Sequence, residues 1–312
     1  MLSTLAIGRV RYGVILREDG FVMDDGTCAR LSAGRYVLST STAHAIKVMQ
    51  HLEHARQVLW PQMNIQLAAV TDQWAQYAIA GPRSRELLQR LLGEAIDLSN
   101  EAFPYLACAA FIWQGVTARL FRISFSGELA YEFAVPARYG DSVIRAIARV
   151  GEGLGVIPYG TEALNVMRIE KGHLVTNELN GTTTAADLGL SRLMSSKKDF
   201  IGRVLSGRPG LTDLNRPTLI GVRSVNPEIR LQAGAHLLPL GTPATAKHDQ
   251  GYITSAAFSP MLQSWIGLGL LTRGHERLGE CMRACDPARG IDVEVEVVST
   301  TFFDSEGARL RS

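Results

Sequence analysis

Val116-Thr-Ala-Arg-Leu-Phe-Arg-Ile-Ser-Phe125, Ser126-Gly-Glu128 and Tyr131-Glu-Phe-Ala-Val135 read as two strands with a turn between them. Aromatic and β-branched residues fit a pleated, half-buried surface, and the Ser-Gly pair punctuates it. Helices flank this pair. Upstream, Trp74 to Ala80 alternates like a strand, and Gly81-Pro82 opens a helix whose buried face is Leu87, Leu88, Leu91 and Leu92. Pro suits the first helical turn, and Gly93 stops the helix. Downstream, Asp141 to Val150 places Val143, Ile144, Ile147 and Val150 at helical spacing, and a further helix runs from Thr161, its N-cap, to Lys171, with Gly172 beyond its end. Strands and helices in this order predict an α+β domain.

Further upstream, Tyr36 to Thr40 reads as a strand, and Ala43 to Leu59 as a helix with Val48, Leu52, Ala55 and Leu59 on one stripe, ended by Pro61. After about Leu205 the texture changes. Ser206 to Pro217 is a Gly/Pro/Asn-rich linker. Beyond it Leu219–Arg223, Gly251–Ala256, Trp265–Leu271 and Ile291–Val298 are short strands between turns, which argues for a small all-β barrel or sandwich. The expected domains are therefore 1–205 and 218–312, joined by 206–217.

Composition excludes several classes of function. At 312 residues the chain has room for about two domains. A 46% hydrophobic and 20% charged composition is that of a globular chain. The net charge of +2 gives no electrostatic case for nucleic acid or an anionic membrane. The longest apolar runs, Tyr105–Trp113 and Trp265–Leu271, are far short of the roughly 18 residues that span a bilayer. No secretory signal pattern opens the sequence. Cys28, Cys108, Cys281 and Cys285 are too few and scattered for a disulfide framework, and the expected compartment is the cytoplasm.

The common cofactor motifs do not fit. Gly151-x-Gly153-x-Gly155 follows a helix instead of opening one, so it reads as a helix exit and not a phosphate cradle. Gly267-x-Gly269 reads as a strand with close backbone approach. His51 and His54 lack a third ligand nearby and share a helix face with Lys47, Glu53 and Arg56, which is a solvated face and no metal site. Two acidic positions remain. Asp24-Asp25-Gly26, read alone, is a hairpin turn. Glu132 alternates with Ala130 and Ala134 on an apolar face, where an unpaired carboxylate is costly. Its partner is either an internal arginine, Arg119 or Arg122, or a ligand carrying N–H donors.

These positions fall within a wider pattern. Tyr12-Gly-Val-Ile-Leu-x-x-x-Gly-Phe-Val-Met-Asp-Asp25, Ala80-Gly-Pro82, Phe125-Ser-Gly-Glu-Leu-Ala-Tyr-Glu132, Met167-Arg-Ile-Glu170, Lys198-Asp-Phe-Ile-Gly202 and the stretch Thr254 to Leu262 resemble, in order, segments of the aminomethyltransferase (glycine-cleavage T-protein) family. Thr71-Asp-Gln-Trp-Ala75, Asn180 to Leu190 and Ser195 to Phe200 resemble one branch of it, the folate-binding part of the alpha subunit of heterotetrameric sarcosine oxidase. An iron–sulfur-assembly cousin carries Lys-Gly-Cys where this chain has Lys171-Gly172-His173. The sequence departs from the T-protein pattern at Leu164, where Arg is usual, and at Phe125, where Tyr is usual. Met1 matches the family's interior, so the resemblance implies that the sequence is N-terminally incomplete, lacking part of the folate-binding fold, and that Met1 is an internal methionine of a longer reading frame.

The resemblance implies a folate-binding α+β domain followed by a β-barrel, with tetrahydrofolate as cofactor. It implies Asp25 as the catalytic carboxylate near folate N10, Asp24 as a weaker candidate for that role, Tyr12 in the pterin site, and Glu132 accepting aminopterin N–H groups. It implies the other subunits of a heterotetrameric sarcosine oxidase as partners, with flavin and NAD held outside this chain. Two alternatives stay open: a stand-alone aminomethyltransferase working with a lipoyl carrier, and an inactive remnant acting only as a binding domain.

Overall fold

A computed structural model describes residues 2–312. Two compact units divide the chain. The first holds residues up to Gly13, Asp25–Tyr159 and Gly307–Ser312; the second holds Val14–Asp24 and Gly160–Glu306. Contact density thus divides the chain between Tyr159 and Gly160, and the composition change read at 206–217 lies inside the second unit. That segment contains two short helical turns, Arg203–Ser206 and Pro209–Thr212. Leu211 is buried in it, and Arg216 binds Asp187 at 2.6 Å.

Strands β1 (Arg9–Leu16), β2 (Val22–Ser32) and β3 (Arg35–Thr40) form a sheet in that order. Helix α1 (Ala45–His54) buries Val48 and continues as a wider turn, Ala55–Leu59, that stops before Pro61. The strand–turn–strand read from the sequence is the centre of a second, antiparallel sheet. Its members are β4 (Trp74–Ala80), β5 (Cys108–Trp113), β6 (Val116–Phe121) and β7 (Ala130–Pro136), in the order β4-β7-β6-β5. Gly127, at φ 83°, makes the turn between β6 and β7.

Alternation along β7 sends its side chains to two faces. Tyr131, Phe133 and Val135 enter the core of the first unit with Leu87, Leu88 and Leu92 of α2 (Ser84–Leu92) and Val143 and Ile147 of α3 (Gly140–Gly151). Burying a side chain the size of Phe133 contributes about 1.5–3 kcal/mol. Ala130, Glu132 and Ala134 face the other way, in register with Ala80, Ala78 and Gln76 of β4. That second face carries the candidate chemistry.

In the second unit β8 (Pro217–Ser224), β9 (His236–Pro239), β10 (Gly251–Ser259), β11 (Ser264–Thr272), β12 (Cys281–Asp286) and β13 (Ile291–Val298) close a barrel in the order β10-β11-β8-β13-β12-β9. Closure leaves no strand edge open, and Leu237, Ile253, Val295 and Val297 fill the interior. Gly267 and Gly269 lie in β11, as read from the sequence. A Cβ on Gly267 would come within 2.6 Å of the Ser255 carbonyl, and one on Gly269 within 2.9 Å of that of Tyr252. Helix α4 (Thr161–Lys171) is capped by Gly160, one residue before the expected Thr161, and closed by left-handed Gly172. It is clamped within this unit. Arg168 bonds Ser255 at 2.7 Å, and the Ser259 hydroxyl donates to Glu170 at 2.5 Å.

Candidate functional site

The turn that joins β1 to β2 lies at Arg17–Phe21. There Gly20 takes φ 90°, and Asp19 accepts from the Phe21 amide at 3.2 Å and from Arg17 at 2.7 Å. Asp24-Asp25-Gly26 is therefore no turn, contrary to its isolated reading. All three residues lie within the continuous strand β2. Gly26 serves a close approach: a Cβ there would sit 1.9 Å from the Ser39 carbonyl of β3.

Being in a strand separates the two aspartates. Asp24 has no exposed surface, whereas Asp25 is partly exposed, and successive side chains of a strand point to opposite faces. The Tyr12 hydroxyl donates to Asp25 Oδ2 at 2.6 Å, a short, charge-assisted bond. The structure thus brings together two of the four candidates, Tyr12 and Asp25. Asp24 belongs to the second unit.

Glu132 sits partly buried on the second face of the β4–β7 sheet. Neither arginine expected beside it is its partner. Arg119 stacks on the Trp74 ring at 3.5 Å, and Arg122 donates to Asn100, Phe103 and Ser312. The Gln76 side-chain amide, exposed on the neighbouring strand, donates to Glu132 Oε2. Burial pushes the Glu132 carboxyl up to about 7, so it is half protonated near neutrality. Burial and the Glu132 charge together raise the Tyr159 phenol. Tyr159 is thereby within electrostatic reach, at the end of the loop Ile157-Pro158-Tyr159.

Gln76 and Tyr159 were not legible as site residues. Gln76 lies 56 positions from Glu132, and only the β4–β7 register brings them together. A tyrosine beside a glycine before a helix reads as a loop residue. A surface cavity of about 520 Å³, lined by Arg9, Asp97, Glu101 and Phe103 among others, contains none of the four candidates. Among the described residues no cluster of His, Cys, Asp and Glu could hold a metal ion, and no helix is long and apolar enough to cross a membrane.

The GCVT N-terminal domain model matches residues 1–198, and the glycine cleavage T-protein C-terminal barrel domain model matches residues 219–304. The chain belongs to the glycine-cleavage T-protein family. Within it, the chain is 47% identical over 309 residues to a sarcosine oxidase subunit alpha of Rhizobium meliloti and 37% identical to one of Corynebacterium sp. (strain U-96). In each case 98% of the chain matches, covering 31% and 32% of the relative. The chain thus spans about a third of the length of these relatives. It is 28% identical to an aminomethyltransferase of Streptomyces coelicolor, covering 97% of the chain and 78% of that protein. The fold matches the glycine cleavage system aminomethyltransferase T of Bartonella henselae with a TM-score of 0.79 at 20% identity, over 97% of this chain and 78% of that one.

Proposed function

We propose that this chain is a tetrahydrofolate-dependent one-carbon transfer module of the sarcosine oxidase alpha type. It captures the imine or formaldehyde equivalent left by sarcosine oxidation as 5,10-methylenetetrahydrofolate. The Tyr12–Asp25 pair carries the reading: a strand carboxylate held by a phenol on the neighbouring strand, both within the sequence motif that resembles the family's aspartate segment. The donor set fits a pterin. Glu132 has one neutral donor and remaining acceptor capacity, which suits ring N–H groups.

Tetrahydrofolate supplies the N5 and N10 amines that take up the one-carbon unit. Asp25 holds or moves a proton at N10, and the bond from Tyr12 fixes the orientation of its carboxylate. Glu132 accepts from the aminopterin edge, with the Gln76 amide bracing one of its oxygens. Sarcosine oxidation, and the flavin and NAD it calls on, lie in other regions or partner subunits.

Asp25→Asn in the assembled oxidase tests this. Asn keeps the size but cannot take up a proton, so methylene transfer should fall roughly 10²–10⁴-fold with little change in folate affinity. Flavin reduction continues, and free formaldehyde replaces 5,10-methylenetetrahydrofolate as the one-carbon product. An unchanged product ratio overturns the assignment. Transfer from an aminomethyl-loaded lipoyl protein would instead indicate a stand-alone aminomethyltransferase.

A further inference from the structure

The last six residues, Gly307–Ser312, belong to the first unit and are anchored there at two points. Arg309 pairs with Glu128. One main-chain oxygen of Ser312 accepts from Arg122 Nη2 at 2.6 Å and from Arg85 Nη2 at 2.8 Å. Leu310, between the anchors, is buried.

The second anchor has an unusual charge balance. Arg122 is only 1% exposed, and among the described residues its Nε has no hydrogen-bond partner. Arg85 and Arg122 each donate to Asn100 Oδ1 at 2.6 Å; Arg122 also reaches the Phe103 carbonyl, and Arg85 the Tyr131 hydroxyl. Asn100, Phe103 and Tyr131 offer neutral oxygens. Burial disfavours the charged form of Arg122; Tyr131 opposes this, and the Arg85 charge adds a lesser push in the same direction as burial. Two crowded guanidiniums gain from every oxygen brought to them, and the tail brings one.

The anchors also share a location. Arg122 immediately follows β6, and Glu128 lies just before β7, four residues from Glu132. The tail therefore grips both ends of the loop that leads to Glu132. We propose that Gly307–Ser312 is a strap that fixes the β6–β7 loop, making Arg85, Arg122 and Arg309 positioning residues for the Glu132 carboxyl. The assignment of a purpose to that carboxyl rests on the folate reading; the strap itself is testable without folate.

Because Arg122 is buried and its variants can fail to fold, the test uses the more exposed pair in the full chain. Arg309→Glu and Glu128→Arg each place like charges together, and the double variant re-forms the pair in reverse. Two ligand-free measurements are made: amide hydrogen exchange over residues 123–129, and the titration midpoint of Glu132 by carbon-13 NMR. Each single variant should speed exchange about fivefold, the reach of a partly exposed ion pair, and shift the midpoint from about 7. The double variant should restore both. Unchanged exchange in the single variants, or no recovery in the double, overturns the strap. Faster exchange with an unmoved Glu132 midpoint overturns the positioning role. Failure of tetrahydrofolate to bind the parent chain would count against the folate reading and leave both measurements standing.

Discussion

Glu178 and Glu132 are both carboxyls drawn out of water, and the protein treats them differently. Glu178, in the second unit, has no exposed surface, and both of its oxygens are occupied. Oε1 accepts from Thr254 and, at 2.7 Å, from Ser255; Oε2 accepts from the Val175 amide at 2.9 Å and faces Arg168 at 3.4 Å. Arg168 in turn reaches Asn165, His173 and Ser255. Glu132, in the first unit, accepts among the described residues from the Gln76 amide alone, and burial pushes its carboxyl up to about 7. A saturated buried carboxylate is part of the frame. A carboxyl left short of donors is where the proposed folate would supply them.

The sharpest way to break this comparison is at the frame. Arg168→Met preserves most of the volume but leaves the Glu178 charge without its cation. Breaking a buried pair on one side typically costs about 3–5 kcal/mol, so urea unfolding of the second unit should shift by that amount. Tetrahydrofolate affinity of the folded fraction should not change. A stability loss below about 1 kcal/mol would mean that the network is dispensable and that saturation does not mark a structural role.

The network also explains which parts of the molecule the sequence could disclose. Met167-Arg-Ile-Glu170 and the Thr254–Leu262 stretch are separate motifs along the chain, yet their side chains meet: Arg168 with Ser255, Glu170 with Ser259. Two of the six segments that carry the family resemblance therefore hold α4 to the barrel. Elements with strong periodicity were legible to the residue, as at Trp74–Ala80 and Thr161–Lys171. The four-residue strand β9 and the strand β12, whose Arg283 and Cys285 interrupt any clear alternation, were not read. Asp24-Asp25-Gly26 misled because Asp-Gly chemistry serves turns in most settings; only the Ser39 carbonyl on the next strand reveals why glycine is needed here. The candidate residues were legible by resemblance, whereas the donor that Glu132 uses depends on a strand register no local pattern encodes.

Glu132→Gln probes the other side of the comparison. Gln keeps the shape but presents N–H to N–H, so a pterin donor loses a charge-assisted bond and is left unpaired. Tetrahydrofolate affinity should fall by about 1.5–3 kcal/mol, measured by calorimetry. The folded chain should be no less stable, because the variant removes a carboxyl whose burial is not compensated. If affinity holds and stability drops, Glu132 belongs with Glu178 in the frame, and the distinction between the two carboxyls collapses.

A further test of Glu132 uses pH. Glu132 binds its proton more tightly in the folded chain than the ordinary value of 4.5 allows, with a folded value of about 7. Its contribution to stability is therefore fully present below about 4.5 and is lost as pH rises to about 7, by at most about 1.4 kcal/mol per pH unit. Ligand binding has the opposite sign. N–H donors favour the carboxylate, so below pH 7 the proton must leave first, and tetrahydrofolate affinity should rise up to tenfold per unit from pH 5.5 to 7, then level off. Calorimetry in two buffers of different ionisation enthalpy counts the released proton, and Glu132→Gln supplies the control. A slope that survives in Glu132→Gln belongs to the ligand's own titration. A parent chain whose affinity is flat across this range would show that Glu132 meets no donor from tetrahydrofolate, leaving Tyr12 and Asp25 as the only support for a folate site.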